Sequence, residues 1–242
     1  MPAEGSAPSA VTIASDGLKL AGMLYRPDGA PRGALLVCHG AGSRKENHQL
    51  MGEQAAAAGL AALTFDFRGH GQSDGVMGPD GWRDAVAAGE LLVRLSGAPW
   101  LAARGASRGG CLLLQAAHAR PQLFRSLVLL CPADGASLLR GLDRLEEPGG
   151  EDDEYSARFD APALRPFLAR LDLIALGRDL PRVLLAHARD DTDVPFAHSE
   201  RLAAVLAPPT RFIVLEEGGH HGPGRSAEVA KATIEWAVEH GT

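Results

Sequence analysis

Cysteine and aromatic residues are scarce in this chain, with three cysteines in 242 residues and a 5% share of Phe, Trp and Tyr. Cys38, Cys111 and Cys131 each fall in an apolar strand or helix pattern, show no C-x-x-C spacing and make an odd total. They are expected to be buried, reduced packing residues rather than reactive or metal-binding thiols. Concentrated positive charge is also missing. The formal charge is -6 and the arginines are scattered, so the sequence offers no basic face for a nucleic acid backbone. No apolar run approaches a membrane span, and the alanine-rich stretch at 54–58 is interrupted by Gly59. Residues 1–10 lack a basic n-region and an apolar h-region, which argues against a secretory signal and for a flexible lead-in to a soluble, cytoplasmic protein. No internal repeat is visible, and nothing in the sequence sets an oligomeric state.

What the chain does have is alternation. Val11–Ser15 and Leu18–Tyr25 are strand-like and are separated by Asp16-Gly17, a hairpin signal that predicts an antiparallel edge. Apolar runs at Ala34–Cys38, Leu60–Phe65, Trp100–Ala103, Leu127–Cys131, Val183–His187 and Arg211–Leu215 then read as strands. Helical patterns lie between or after them, at about 47–58, 81–95, 108–119, 197–206 and 226–240. This predicts one α/β domain over residues 1–242, with a mostly parallel eight-stranded sheet and helices on both faces. Residues from about 132 to 181 break the rhythm, with weaker helical patterns at 136–145 and 162–176 around the acidic run Glu146–Glu154. That run is expected to be a surface loop, and the whole segment a lid or cap insertion over the site.

The chemistry centres on Gly105-Ala106-Ser107-Arg108-Gly109, which joins an apolar strand to a helix. A serine on such a strained turn needs very small neighbours two residues to each side, and glycine fills both positions. The same five-residue pattern recurs at Gly71-Gln72-Ser73-Asp74-Gly75, but a glycine- and proline-rich loop follows it, so context favours Ser107. His70 and Ser73 are read as turn scaffolding. A nucleophilic serine requires a histidine base and a carboxylate to orient it. The loops after the last two strands supply candidates: Asp190, Asp191 and Asp193 in one, His220 and His221 in the other, with Asp134 a further acid after an earlier strand. Metal binding by these histidines and aspartates lacks a recognised ligand spacing. His118 and His198, on predicted helices, are read as surface or packing residues.

In order, His39-Gly40-Ala41-Gly42, Asp66-x-Arg68-Gly69-x-Gly71-x-Ser73, Gly105-x-Ser107-x-Gly109-Gly110, Asp191-x-x-Val194-Pro195 and Gly218-Gly219-His220 resemble the signatures of an α/β-hydrolase-fold serine hydrolase. The pattern is most similar to small bacterial esterases and to the lysophospholipase, monoglyceride lipase and serine aminopeptidase-like branch. The resemblance selects Asp191 as the acid and His220 as the base, with His221 turned elsewhere. It places the backbone N–H groups of Ala41 and Arg108 in the oxyanion hole and implies no cofactor and no metal. The expected activity is hydrolysis of small neutral carboxylic esters through an acyl-enzyme, neutrality being inferred from the acidic run. Amide, peptide or thioester cleavage by the same residues is the alternative, and a ligand-binding pseudoenzyme the distant one. Aspartate-nucleophile epoxide hydrolases and dehalogenases of this fold are disfavoured by Ser107.

Overall fold

A computed structural model describes residues 7–146 and 158–241. Most of the acidic run, from Glu147 to Glu154, and the first six residues of the lead-in lie outside the described residues. β1 (Ser9–Ser15) begins two residues earlier than the sequence pattern indicated and pairs antiparallel with β2 (Leu18–Tyr25). Asp16 and Gly17 both take positive φ, 49° and 80°, as a two-residue hairpin turn matching the strand twist requires. The remaining strands are β3 (Gly33–Cys38), β4 (Leu60–Phe65), β5 (Leu101–Ala106), β6 (Ser126–Leu130), β7 (Val183–Ala188) and β8 (Thr210–Leu215).

These make one eight-stranded sheet in the order β1-β2-β4-β3-β5-β6-β7-β8. β2 meets β4 antiparallel, and from β4 to β8 every pairing is parallel. β3 lies between β4 and β5, so the winding direction reverses there and the carboxyl ends of the central strands open onto a common crevice.

Helices cover both faces: α1 (Gln49–Ala57), α2 (Gly81–Ser96), α3 (Arg108–Ala119), α4 (Gly135–Glu146), α5 (Ala161–Leu168), α6 (Leu173–Gly177), α7 (Phe196–Ala203), α8 (Gly222–Arg225) and α9 (Ala227–Glu239). Strand periodicity sorts the core between them. Ala34, Leu36 and Cys38 of β3 pack with α2 and α3, whereas Leu35 and Val37 pack with α1 and the end of α9. All six residues of β3 and of β4 are buried, which explains why these strands read as continuous apolar runs.

Between β6 and β7 the expected single pattern at 162–176 divides in two. Asp160 caps α5 through the Ala163 N–H, and Asp172 starts α6 by accepting from the Ile174 and Ala175 N–H groups. Met77, Leu142, Ala161, Leu164 and Leu168 form a small separate core beneath α4 and α5. The segment is stitched to the loop after β4: Met77 N–H donates to the Arg158 carbonyl, and Arg158 N–H to that of Gly69.

Candidate active site

Ser107 stands between β5 and α3 with φ 51° and ψ -120°, a backbone conformation an L-residue adopts only under constraint. Its N–H donates to the Leu130 carbonyl at 2.8 Å, and its own carbonyl accepts from Cys111 and Ala133. The flanking glycines are sterically required. A Cβ on Gly105 would lie 2.6 Å from the Gly109 carbonyl oxygen, and one on Gly109 would lie 2.5 Å from the carbonyl oxygens of both Cys38 and His39. Ser73, in the duplicate motif, is committed elsewhere. Its hydroxyl donates to the Asp66 carbonyl at 2.6 Å and accepts from the Ala21 N–H at 2.9 Å, a structural knot between the 66–74 turn and β2.

Asp191 and His220 come together from the loops after β7 and β8. His220 Nδ1 donates to Asp191 Oδ2 at 2.8 Å, with the carboxylate buried and the imidazole part-buried. The other oxygen, Oδ1, accepts from the Asp193 and Val194 N–H groups, both at 2.9 Å, so the backbone itself orients the acid. Burial works against the ionised Asp191, but hydrogen bonds from His187, His220 and Val194 overcome it and hold its carboxyl well below the usual carboxylate range. Burial likewise opposes a charged His220, yet the bond to Asp191 and the adjacent Cys131 sulfur hold its pKa above the ordinary histidine value. Among the described residues Ser107 Oγ makes no hydrogen bond, so a serine–histidine link is not formed in this conformation. Apo sites of this chemistry commonly tighten only with substrate.

The other candidates are placed differently. Asp134 accepts from the Ser137 N–H and faces His198 at 3.7 Å. Asp193 pairs with Arg144 on α4. His221 is exposed and packs edge-on against His220. The Cys131 sulfur, an Asp191 oxygen and a His220 nitrogen lie within 4.8 Å of one another, but hydrogen bonds already join them: Sγ donates to the His220 carbonyl, and Nδ1 to Asp191.

Ala41 lies in the loop after β3, and Arg108 directly follows the serine. Arg108 opens α3, where the first N–H groups have no intrahelical partner. A Cβ on Gly40 would stand 3.3 Å from Ser107 Cβ, which puts the loop after β3 directly beside the serine. Neither the N–H of Ala41 nor that of Arg108 has a partner among the described residues.

Several supporting residues escaped sequence reasoning. His187 Nε2 shares Asp191 Oδ2 with His220 at 3.0 Å and also reaches the Val194 carbonyl, while its Nδ1 meets Ser199 Oγ at 2.7 Å. Asp190, considered above only as an acid, accepts the Gly218 and Gly219 N–H groups and so fastens the loop carrying His220. The loop bearing Ala41 has two anchors. His39 donates from Nδ1 to the Gly40 carbonyl and accepts at Nε2 from the Phe67 N–H. Lys45, buried, forms a 2.8 Å ion pair with buried Asp66, whose other oxygen accepts the Lys45 N–H. A buried lysine predicts a buried acid partner, but sequence does not say which.

Comparison with known proteins finds partial sequence matches and full-length structural ones. Residues 29–144 match the family model described as serine aminopeptidase, S33. An uncharacterized protein of Mycobacterium tuberculosis is 29% identical over 238 residues, covering 92% of this chain and 79% of its own. Human monoglyceride lipase is 27% identical over 132 residues, 50% of this chain and 41% of that one. The structure of Est1E from Butyrivibrio proteoclasticus with ferulic acid superposes with a TM-score of 0.77 at 22% identity, covering 96% of this chain and 99% of that one. No helix among the described residues is long and apolar enough to cross a membrane. By its eight-stranded sheet and these superpositions, the chain has the α/β-hydrolase fold.

Proposed function

We propose that this protein of α/β-hydrolase fold is a serine esterase that cleaves small carboxylic esters through Ser107, His220 and Asp191. The observation that carries the proposal is the Asp191–His220 hydrogen bond of 2.8 Å, delivered to the sheet edge from which the strained Ser107 projects. In the proposed mechanism Ser107 Oγ attacks the ester carbonyl while His220 Nε2 takes its proton. Asp191 holds the imidazole in the tautomer that leaves Nε2 free and stabilises the charge it acquires. The Ala41 and Arg108 N–H groups receive the oxyanion, His220 returns the proton to the leaving alcohol, and water repeats the sequence to release the acid. No cofactor enters this scheme. The described parts of the insertion, residues 132–146 and 158–181, are assigned as the wall or lid over the acyl group, since they follow β6 and Arg158 is tied to Gly69 and Met77. The serine aminopeptidase family match supports a second reading, amide or thioester cleavage by the same residues.

Ser107→Ala is expected to abolish both hydrolysis of an aryl ester and labelling by a fluorophosphonate. Undiminished labelling of that variant would overturn the assignment, and matched ester, thioester and aminoacyl-amide substrates separate the two readings. The neutrality expected of the substrate rested on the acidic run, which lies largely outside the described residues.

A further inference from the structure

Cys131 does more than fill space. All three cysteines are buried and free, and Cys38 and Cys111 belong to the core shared with α2 and α3. The Cys131 sulfur instead meets the site, donating to the His220 carbonyl at 3.2 Å across 89 positions of sequence. Its backbone lies in the left-handed region, φ 37°, which a residue other than glycine keeps only when its surroundings demand it. Those surroundings are specific. The Cys131 N–H donates to the Ala186 carbonyl of β7 at 2.8 Å. One residue earlier the Leu130 carbonyl accepts the Ser107 N–H at 2.8 Å, and two residues later the Ala133 N–H donates to the Ser107 carbonyl at 3.2 Å. Between them Pro132 packs against Gly110 of α3, where an added Cβ would stand 3.1 Å from the proline Cβ. Residues 130–133 therefore grip the serine through two backbone bonds and the histidine through one thiol.

His220 needs such a hold. It follows Gly218 and Gly219, at φ 132° and 57°, and a Cβ on Gly219 would meet nothing within 4 Å, so packing does not fix the approach to the histidine. Asp190 holds the N–H groups of those two glycines from an exposed position. On the histidine itself, Asp191 fixes Nδ1. A residue held at one point can still swing Nε2 away from the serine, and a second fixed point at its carbonyl removes that freedom. We propose that Cys131 is a positioning residue of the hydrolytic site, whose thiol holds the His220 backbone so that the 130–133 turn sets the spacing between base and nucleophile. The proposal rests on the assignment of Ser107, His220 and Asp191 above. The thiol acts only through His220 and exchanges no proton or electron pair with the substrate.

The test compares Cys131→Ala with Cys131→Ser in the full chain. Both remove the sulfur and open nearly the same space, but only serine keeps a donor, and a hydroxyl is a stronger donor than a thiol. On an aryl ester, kcat is expected to fall about fivefold in Cys131→Ala, the factor for loss of one hydrogen bond, and to stay within about twofold of the wild type in Cys131→Ser. KM should be unchanged in both. A packing role alone predicts the same kcat and the same loss of Tm in the two variants. Equal kcat, whether both are low or both match the wild type, overturns the proposal. A second readout does not depend on turnover: the downfield proton resonance of His220 Nδ1–H, identified by its absence in His220→Gln. Its exchange with water should be about fivefold faster in Cys131→Ala than in Cys131→Ser. Equal exchange in the two variants overturns the proposal as well. Full ester hydrolysis by Ser107→Ala, together with that difference in exchange, would overturn the esterase assignment while leaving Cys131 as the residue that places His220.

Discussion

His187 offers the sharpest test of how the acid works, because it donates to the same Asp191 oxygen that holds His220. Replacing it with leucine removes the donor to Asp191 Oδ2 and to the Val194 carbonyl and leaves Ser199 Oγ without its partner, all in a fully buried site. Leaving a buried carboxylate short of a hydrogen bond costs about 3 kcal/mol, which for a chain of this size is a fall in Tm of about 6–12 °C. The kinetic consequence has a definite sign. With one donor gone, Asp191 holds more negative charge for His220, so the imidazolium is stabilised further. The acid limb of kcat/KM on an aryl ester, expected above the ordinary histidine value in the wild type because Asp191 favours the charged imidazole, should move to still higher pH in His187→Leu, by about half to one unit. His187→Gln, whose amide can present a donor where Nε2 stood, should bring the limb back towards the wild type and recover most of the stability. A merely structural role for His187 predicts the loss of stability without the displaced limb. If the limb stays in place or moves to lower pH in the leucine variant, the sharing of Asp191 between two histidines does not tune the base.

Two further substitutions test the scaffold. Gly109→Ala puts a methyl 2.5 Å from two carbonyl oxygens of the β3 end, neither of which can move without breaking the sheet. It should cost about 3 kcal/mol and nearly all activity, measured by urea denaturation and ester turnover. Normal stability with full turnover would mean that the elbow is not as tight as described. Lys45→Met strands the fully buried Asp66 carboxylate without its cation and should destabilise by about 3 kcal/mol. It should also lower kcat more than it raises KM, because the loop carrying Ala41 is released. An unchanged kcat in a folded Lys45→Met would remove that loop from oxyanion binding.

Much of this molecule was legible because the relevant physics is local. The runs that became β3, β4 and β6 are buried throughout and read as uninterrupted apolar stretches, whereas the edge strand β8 is mostly part-buried. Asp16-Gly17 announced its hairpin because few residues tolerate positive φ at both central positions of such a turn. The elbow was legible for the same kind of reason: Gly105 and Gly109 have no room for a Cβ, and that constraint is written into five consecutive residues. The division at Asp172 was harder to see, because apolar spacing persists through a capped break and only the cap's own hydrogen bonds reveal it.

What sequence did not reveal is everything that depends on pairing across the fold. Asp66 and Lys45 are twenty-one positions apart, and Asp190 binds the backbone of a loop twenty-eight residues later. Neither partner carries a local pattern that names the other. The two arginines that precede a glycine in these turns, Arg68 and Arg108, look equivalent as sequence. One is saturated by Asp84 and Asp16, whereas the guanidinium of the other has no partner among the described residues. That asymmetry has a physical consequence: charge-assisted bonds let the saturated arginine tie the 66–74 turn to α2 and to the β1–β2 hairpin, while the other stacks its guanidinium on the Phe67 ring, so the first fixes the turn in place and the second only packs against it.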